Sequence, residues 1–285
     1  LLLNESDPKA FNNKSVWARI AVVFAGPLFN FLLAMVLGII IVHAVGFDSP
    51  TLTDVQPGFS AEEQGMQAGD VITKLNHEPV VVYRDITIYM MLHPSDPVDV
   101  EFKRLAADGV TWEKHTVTLT PRYSDENGRY MLGIVVSGRY TKAQGIGETL
   151  KYGIYEMVYS VKTTIKSLGM MIHGQVGRDD VAGPVRMVSM IDETVEETIP
   201  YGMSAVILTL VNLCMLLSAN LGVMNLLPIP ALDGGRLVFL ILEVLRGRPI
   251  DKEKEGMVHM AGMAALMVLM VLVLFNDISI LFKGV

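Results

Sequence analysis

The chain has 285 residues, 51% of them hydrophobic and 19% charged, with a mean hydropathy of +0.41. A soluble domain of average composition carries about 25% charge, and the apolar excess here falls in blocks, which points to membrane spans and not to an enlarged core. A net charge of −7 leaves no electrostatic footprint for nucleic acid, and the one cysteine, Cys214, cannot close an internal disulfide.

The first residue is Leu1, and no signal-peptide pattern follows it; the expectation is that the chain is the downstream part of a longer protein. After a lead-in segment, residues 1–19, the run Ile20–Phe47 has no charged side chain. A spanning helix needs about 20 apolar residues, and proline suits the first turn of a helix. A span is therefore predicted within 20–47, starting near Pro27 and ending near Val45. Ala25-Gly26-Pro27 would then need protein cover at membrane depth. A second uncharged run, Thr198–Leu232, is interrupted by Pro200, Pro228 and Pro230. It predicts a helix over Met203–Leu221 followed by a broken segment, together a span over 201–235. A third run, Gly256–Asn276, lies between Glu255 and Asp277 and reads as a plain span over 256–276. A short loop, 236–255, and a tail, 277–285, complete this part.

Basic residues mark the cytoplasmic side of short loops. Lys9, Lys14 and Arg19 precede the first span, and Arg236, Arg246, Arg248, Lys252 and Lys254 follow the second. Both segments are expected on the cytoplasmic side of the membrane, with Asp48–Glu197 and the C-terminus outside. Within that region, 51–122 has the periodicity of a small β-rich domain. Ser60-Ala61-Glu62-Glu63 reads as a helix start, Gly69-Asp70 as a turn before the strand Val71–Leu75, and Asp108-Gly109 as the turn between two alternating strands. In the following linker, 123–200, the residues from Gly145 to Val176 have helical spacing with Lys151, Lys162 and Lys166 interleaved. This helix either lies on the membrane surface or packs on its neighbour. The fold class is α+β: a polytopic α-helical membrane protein with three spans and an extracytoplasmic β-rich domain.

One ionisable residue closes the second apolar run. Asp233 follows Asn225-Leu-Leu-Pro228-Ile-Pro230-Ala-Leu232 and precedes Gly234-Gly235. A carboxylate near membrane depth is costly and suggests function, and the flanking prolines and glycines break the helix, as a polar intramembrane site requires. The alternative is that Asp233 begins a solvated loop.

These residues resemble a family. Asn225-x-x-Pro228-x-x-x-Leu232-Asp233-Gly234 matches the N-x-x-P-x-x-x-L-D-G motif of site-2-type intramembrane zinc metalloproteases (M50, RseP-like). Phe11, Lys14, Trp17, Arg19 and Ala25-Gly26-Pro27-x-x-Asn30 resemble the segment leading into that family's second span. Pro57-Gly58-x-Ser60-Ala61-x-x-x-Gly65-Met66-x-x-Gly69-Asp70-x-Ile72 resembles its PDZ domain, and Gly183-Pro184-Val185 its G-P element. The resemblance implies a Zn2+ cofactor with Asp233 as one ligand, and Asn225 and Pro228 in substrate binding. Gly26, Pro27, Asn30, Leu232 and Gly234 would be structural parts of the motifs. It also implies single-span membrane substrates such as anti-sigma factors or signal-peptide remnants, a peptide or protein ligand at the PDZ-like domain, and contact with membrane lipid. Three protein ligands and an open position would let the metal activate water.

The family's remaining ligands and its general base belong to an H-E-x-x-H motif. The six histidines, at 43, 77, 93, 115, 173 and 259, include none in that pattern; His77-Glu78 continues as Pro79-Val80-Val81, inside the β-rich region. The motif is expected upstream of Leu1, so no catalytic residue is assigned within this chain, which alone should be inactive and should hold no catalytic zinc. His43 and His259 stand singly and read as packing or interface residues, and the methionines as soft packing. No G-N-S-G-G-type nucleophile is present, and Gly202-Met203-Ser204-Ala205 lacks the glycine that a rhomboid-like serine site has after its serine. Two classes remain: an intramembrane zinc endopeptidase, or a non-catalytic PDZ-bearing membrane protein that binds a partner.

Overall fold

The computed structural model describes residues 11–138, 140–175, 177, 182–248 and 250–283. The chain divides into a β-rich unit, 42–155, and a helical unit formed by the residues up to 41 together with those from 156 onward.

The β-rich unit contains β1 (Leu52–Val55), α2 (Ser60–Glu63), β2 (Val71–Leu75), β3 (Glu78–Pro79), α3 (Tyr83–Leu92), β4 (Val98–Leu105), β5 (Trp112–Leu119), β6 (Arg122–Ser124), β7 (Arg129–Met131) and β8 (Ile134–Val136). Four strands form an antiparallel sheet in the order β3-β2-β4-β5. Alternation along β4 buries Val98, Val100 and Phe102 on one face, and these join Ile72, Leu75, Ile86 and Leu119 in a single core. Asp70 is fully buried there. It accepts from Arg104 Nε and Nη2, each at 2.7 Å, and from the Gln67 N–H at 2.9 Å. The expected boundary at residue 122 is too early. β8 pairs with β1, and Leu132 and Ile134 pack on the core. A strand that closes against one some 80 residues earlier leaves no local periodic signal.

The helical unit holds α1 (Val16–Ala44), α5 (Pro184–Thr198), α6 (Met203–Leu226), α7 (Asp233–Arg246) and α8 (Lys252–Lys283); α4 (Gly145–Ile172) begins in the β-rich unit and continues into this one. Three helical stretches, Val16–Ala44, Met203–Leu226 and Glu253–Ile280, are long and apolar enough to cross a membrane. The three spans stand, but their limits change. The first helix starts at Val16, with Pro27 in its interior. Neighbouring helices let spanning helices tolerate an internal proline, so Ala25 and Gly26 are helical and need no separate cover. α6 runs five residues past the expected end at Leu221 and stops where Leu227, extended at ψ 139° ahead of Pro228, cannot continue it. Asp233 is not part of that helix, and the expected loop 236–255 is largely α7. The expected tail begins inside α8, which runs on past Asn276 to Lys283.

Small residues let these helices approach. Ala34, Met215 and Ala219 form a buried cluster, and the Asn30 carbonyl accepts from the Ser218 hydroxyl at 2.9 Å. Gly222 lies against the Phe31 ring, where an added Cβ would sit 2.6 Å from Cε1. Met157 and Val161 of α4 pack on the same cluster, with Glu156 and Ser160 buried beside them. That stretch of α4 is part of the helical core. Lys9 and the expected helix end at Val176 lie outside the described residues.

Candidate metal centre

Asp233 is the first residue of α7 and follows the loop 227–232. The loop is a chain of tight turns. The Ile229 N–H donates to the Leu227 carbonyl at 2.7 Å, and the Leu232 N–H to the Ile229 carbonyl at 3.1 Å. The two glycines after Asp233 allow this geometry. A Cβ on Gly234 would overlap the carbonyls of Leu226 and Leu227, and one on Gly235 would stand 2.9 Å from the Ile229 carbonyl carbon. Glycine at both positions lets the first turn of α7 fold back onto the end of α6.

α1 faces the carboxylate from the other side. A Cβ on Gly26 would meet Asp233 Oδ2 at 3.3 Å, so the Ala-Gly-Pro element and the Leu-Asp-Gly element adjoin. An ion pair between Arg19 on α1 and Glu243 on α7 joins the two helices again. Asp233 lines two cavities. One, of about 440 Å³, is also bordered by Leu232, Arg236, Glu255 and His259; the other, of about 490 Å³, by Phe11, Val22, Gly26 and Arg236. Among the described residues nothing hydrogen-bonds the Asp233 side chain.

Of the sequence-derived candidates, Gly26, Leu232, Asp233 and Gly234 come together here. Pro27 and Asn30 lie further along α1. Asn225 is half-buried in the last turn of α6, and Pro228 is exposed in the loop. His259, read from the sequence as packing, borders the Asp233 cavity and accepts from the Ala231 N–H through Nδ1 at 2.9 Å. Nothing within its own span signals this contact, which joins residues far apart in the chain. Asp277, read as a span boundary, is buried and accepts from the N–H groups of Gly183, Val185 and Arg186 at 2.9, 3.1 and 3.2 Å. It caps α5 and thereby ties the Gly183-Pro184 element to α8.

An aspartate side chain at a cavity wall, without a hydrogen-bond partner among the described residues, suits a divalent metal. Among the described residues, however, no three His, Cys, Asp or Glu side chains converge on a point where a metal could sit. The residues present fit one ligand of a zinc site, which takes three or four protein ligands.

Residues 2–269 match the family model for peptidase family M50. The chain is 36% identical over 278 residues to zinc metalloprotease RasP of Bacillus licheniformis, covering 96% of this chain and 62% of that protein. It is 35% identical over 276 residues to the regulator of sigma-W protease RasP of Bacillus subtilis, again covering 96% and 62%. A Clostridium acetobutylicum protein named for zinc metalloprotease activity is 37% identical over 272 residues, with 95% and 76% covered. The chain thus spans a little over three fifths of the RasP proteins it matches. Among solved structures, the PDZ domain of an SdrC-like protein from Listeria monocytogenes matches 32% of this chain and 90% of that one, at 17% identity and a TM-score of 0.27.

Proposed function

Because the chain belongs to peptidase family M50, a family with zinc metalloproteases among the relatives it matches, we propose that it forms most of a multi-pass intramembrane zinc endopeptidase and that Asp233 supplies one carboxylate ligand to the metal. The remaining ligands and the general base come from an H-E-x-x-H segment of the complete protein that this chain does not contain. When bound, zinc polarises a peptide carbonyl and activates water.

The chain's own residues prepare that chemistry. The Pro228–Leu232 loop and the two following glycines hold Asp233 at the start of α7, where the helix dipole favours a negative charge. Gly26 leaves room beside Oδ2 for a group to approach. Asn225 and Pro228 shape the break between α6 and α7, where an unwound substrate segment can find hydrogen-bond partners. The one observation that carries the reading is the side-chain environment of Asp233: it opens on two cavities in the helical unit and has no hydrogen-bond partner among the described residues.

The substrates are single-span membrane proteins, with membrane-bound anti-sigma factors or signal-peptide remnants as the class. The name of the Bacillus subtilis relative, a regulator of sigma-W protease, supports the first. The β-rich unit resembles a PDZ domain in sequence and takes a peptide or protein ligand. The membrane is the bacterial inner membrane. The start of α1 and α7 face the cytoplasm and the β-rich unit lies outside; the Arg19–Glu243 pair, which brings that start of α1 beside α7, supports a shared side.

The test is cleavage of a single-span reporter by the full-length protein and its variants at matched membrane levels. Asn is nearly the size of Asp but brings no charge, and Glu keeps the charge but moves it by one methylene. Displacement of about 1 Å can cost a hundredfold, so Asp233→Glu should lose about that factor and Asp233→Asn at least as much. Near-equal rates for wild type and Asp233→Asn would remove the assignment.

A further inference from the structure

The loop that carries Asp233 is held from the α8 side by two residues one turn apart. Ala231 lies in the left-handed region, at φ +81°. A residue with a Cβ adopts that conformation at a cost on the order of 1 kcal/mol, and keeps it only when its surroundings impose it. Its N–H donates to His259 Nδ1 at 2.9 Å. Gly262, three residues on and on the same face of α8, allows the close approach: a Cβ there would stand 2.6 Å from the Pro230 carbonyl oxygen. α8 therefore clamps Pro230 and Ala231, immediately ahead of Leu232 and Asp233.

The bond also sets the state of the imidazole. To accept from an N–H, Nδ1 must be unprotonated, so the ring proton sits on Nε2. That atom is buried without a hydrogen-bond partner among the described residues, and the Phe239 ring lies 6.2 Å from the imidazole, centre to centre. An apolar side chain of similar volume would fill this space without an unsatisfied donor, which is costly when buried. What histidine adds here is the acceptor at Nδ1.

We propose that His259 is a positioning residue for the metal centre: through Nδ1 it holds Ala231 in the left-handed conformation and so aims the Asp233 carboxylate at the cavity that Asp233 and His259 both line. This role rests on Asp233 being a metal ligand. The chemistry discriminates between substitutes. The amide oxygen of Asn takes the place of Nδ1, whereas that of Gln reaches further out, toward the place of Nε2.

The experiment uses the full-length protein in detergent, as wild type, His259→Asn, His259→Gln, His259→Ala and Asp233→Asn. It reads amide hydrogen exchange at Ala231, bound zinc, and kcat and KM on a single-span reporter. His259→Ala and His259→Gln should exchange Ala231 faster than wild type. Because small displacements of a reacting group cost about tenfold to a hundredfold, their kcat should fall by at least about tenfold with KM changed much less. His259→Asn should keep both readouts near wild type. His259→Asn as impaired as His259→Ala, or His259→Gln as active as wild type, would overturn the proposal in favour of packing alone. The Asn–Gln contrast decides even if the Ala variant does not fold. A harmless Asp233→Asn would instead sink the ligand reading on which the role rests, while Ala231 exchange would still report whether His259 holds the loop.

Discussion

The two units treat their aspartates differently. In the β-rich unit, Asp70 and Asp85 are buried and their oxygens are occupied. Asp70 takes both arms of Arg104 and a backbone N–H. Asp85 takes the Val81 and Val82 N–H groups, at 3.0 and 3.1 Å, and the Tyr155 hydroxyl, at 2.8 Å from Oδ2. In the helical unit Asp277 is occupied in the same way by the start of α5, but Asp233 opens on two cavities. Burying a carboxylate is costly unless hydrogen bonds or opposite charge compensate. The occupied aspartates hold the fold together. Asp233, only half-buried, has no such partner among the described residues and carries no comparable structural duty.

Substitution separates the two kinds, and the largest structural effect belongs to Asp70. Removing one member of a buried ion pair strands the other. Asp70→Ala should therefore destabilise the β-rich unit by about 3 kcal/mol, at the low end of that range because Arg104 is partly exposed. Chemical unfolding of the 285-residue chain, followed by a probe in that unit, measures this. A loss no larger than that of a surface substitution would break the contrast. Asp277→Ala should come next. It leaves three N–H groups at the start of α5 without an acceptor and should lower the melting temperature while leaving the β-rich unit intact. Hydrogen exchange over residues 184–198, compared with 71–119, separates a local loosening from a global one.

The smallest effect lies at a surface turn. The Thr111 hydroxyl and the backbone N–H groups of Thr111 and Val110 converge on the exposed Asp108 carboxylate and hold its pKa at about 2, below the usual 3.8. A carboxyl depressed in the folded state stabilises it above the unfolded pKa, and that stabilisation fades as the pH falls through the folded one. Wild type should thus melt slightly above Asp108→Asn at pH 6, and the two should converge between about pH 4 and pH 2. A gap that stays constant down to pH 2 would show that the turn does not depend on this charge.

What the sequence discloses follows the range of each interaction. Hydropathy located all three spans, and the prolines and glycines around Asp233 announced the break that frames it. Limits failed where a local rule met a tertiary exception. Pro27 reads as a helix start but sits inside α1, and the Arg236–Lys254 stretch reads as a loop because charge ends an apolar run, although its first part is the amphipathic α7. Contacts between distant segments left no trace. β8 on β1, Asp277 on Gly183 and His259 on Ala231 each join residues whose own neighbourhoods say nothing of the partner. Asp233 was legible because its cost is local; the side chains that support it were not.

The difference between the units reduces to whether Asp233 exists for the fold or for a metal, and the zinc content of the purified full-length protein tests this directly. After exhaustive dialysis, wild type should retain about one zinc per chain, as a site with three or four protein ligands does. Asp233→Asn, which removes no hydrogen bond found among the described residues, should fold with a melting temperature near that of wild type and retain little metal. Equal zinc in the two proteins would contradict the assignment, and so would unfolding of Asp233→Asn to the degree expected of Asp70→Ala.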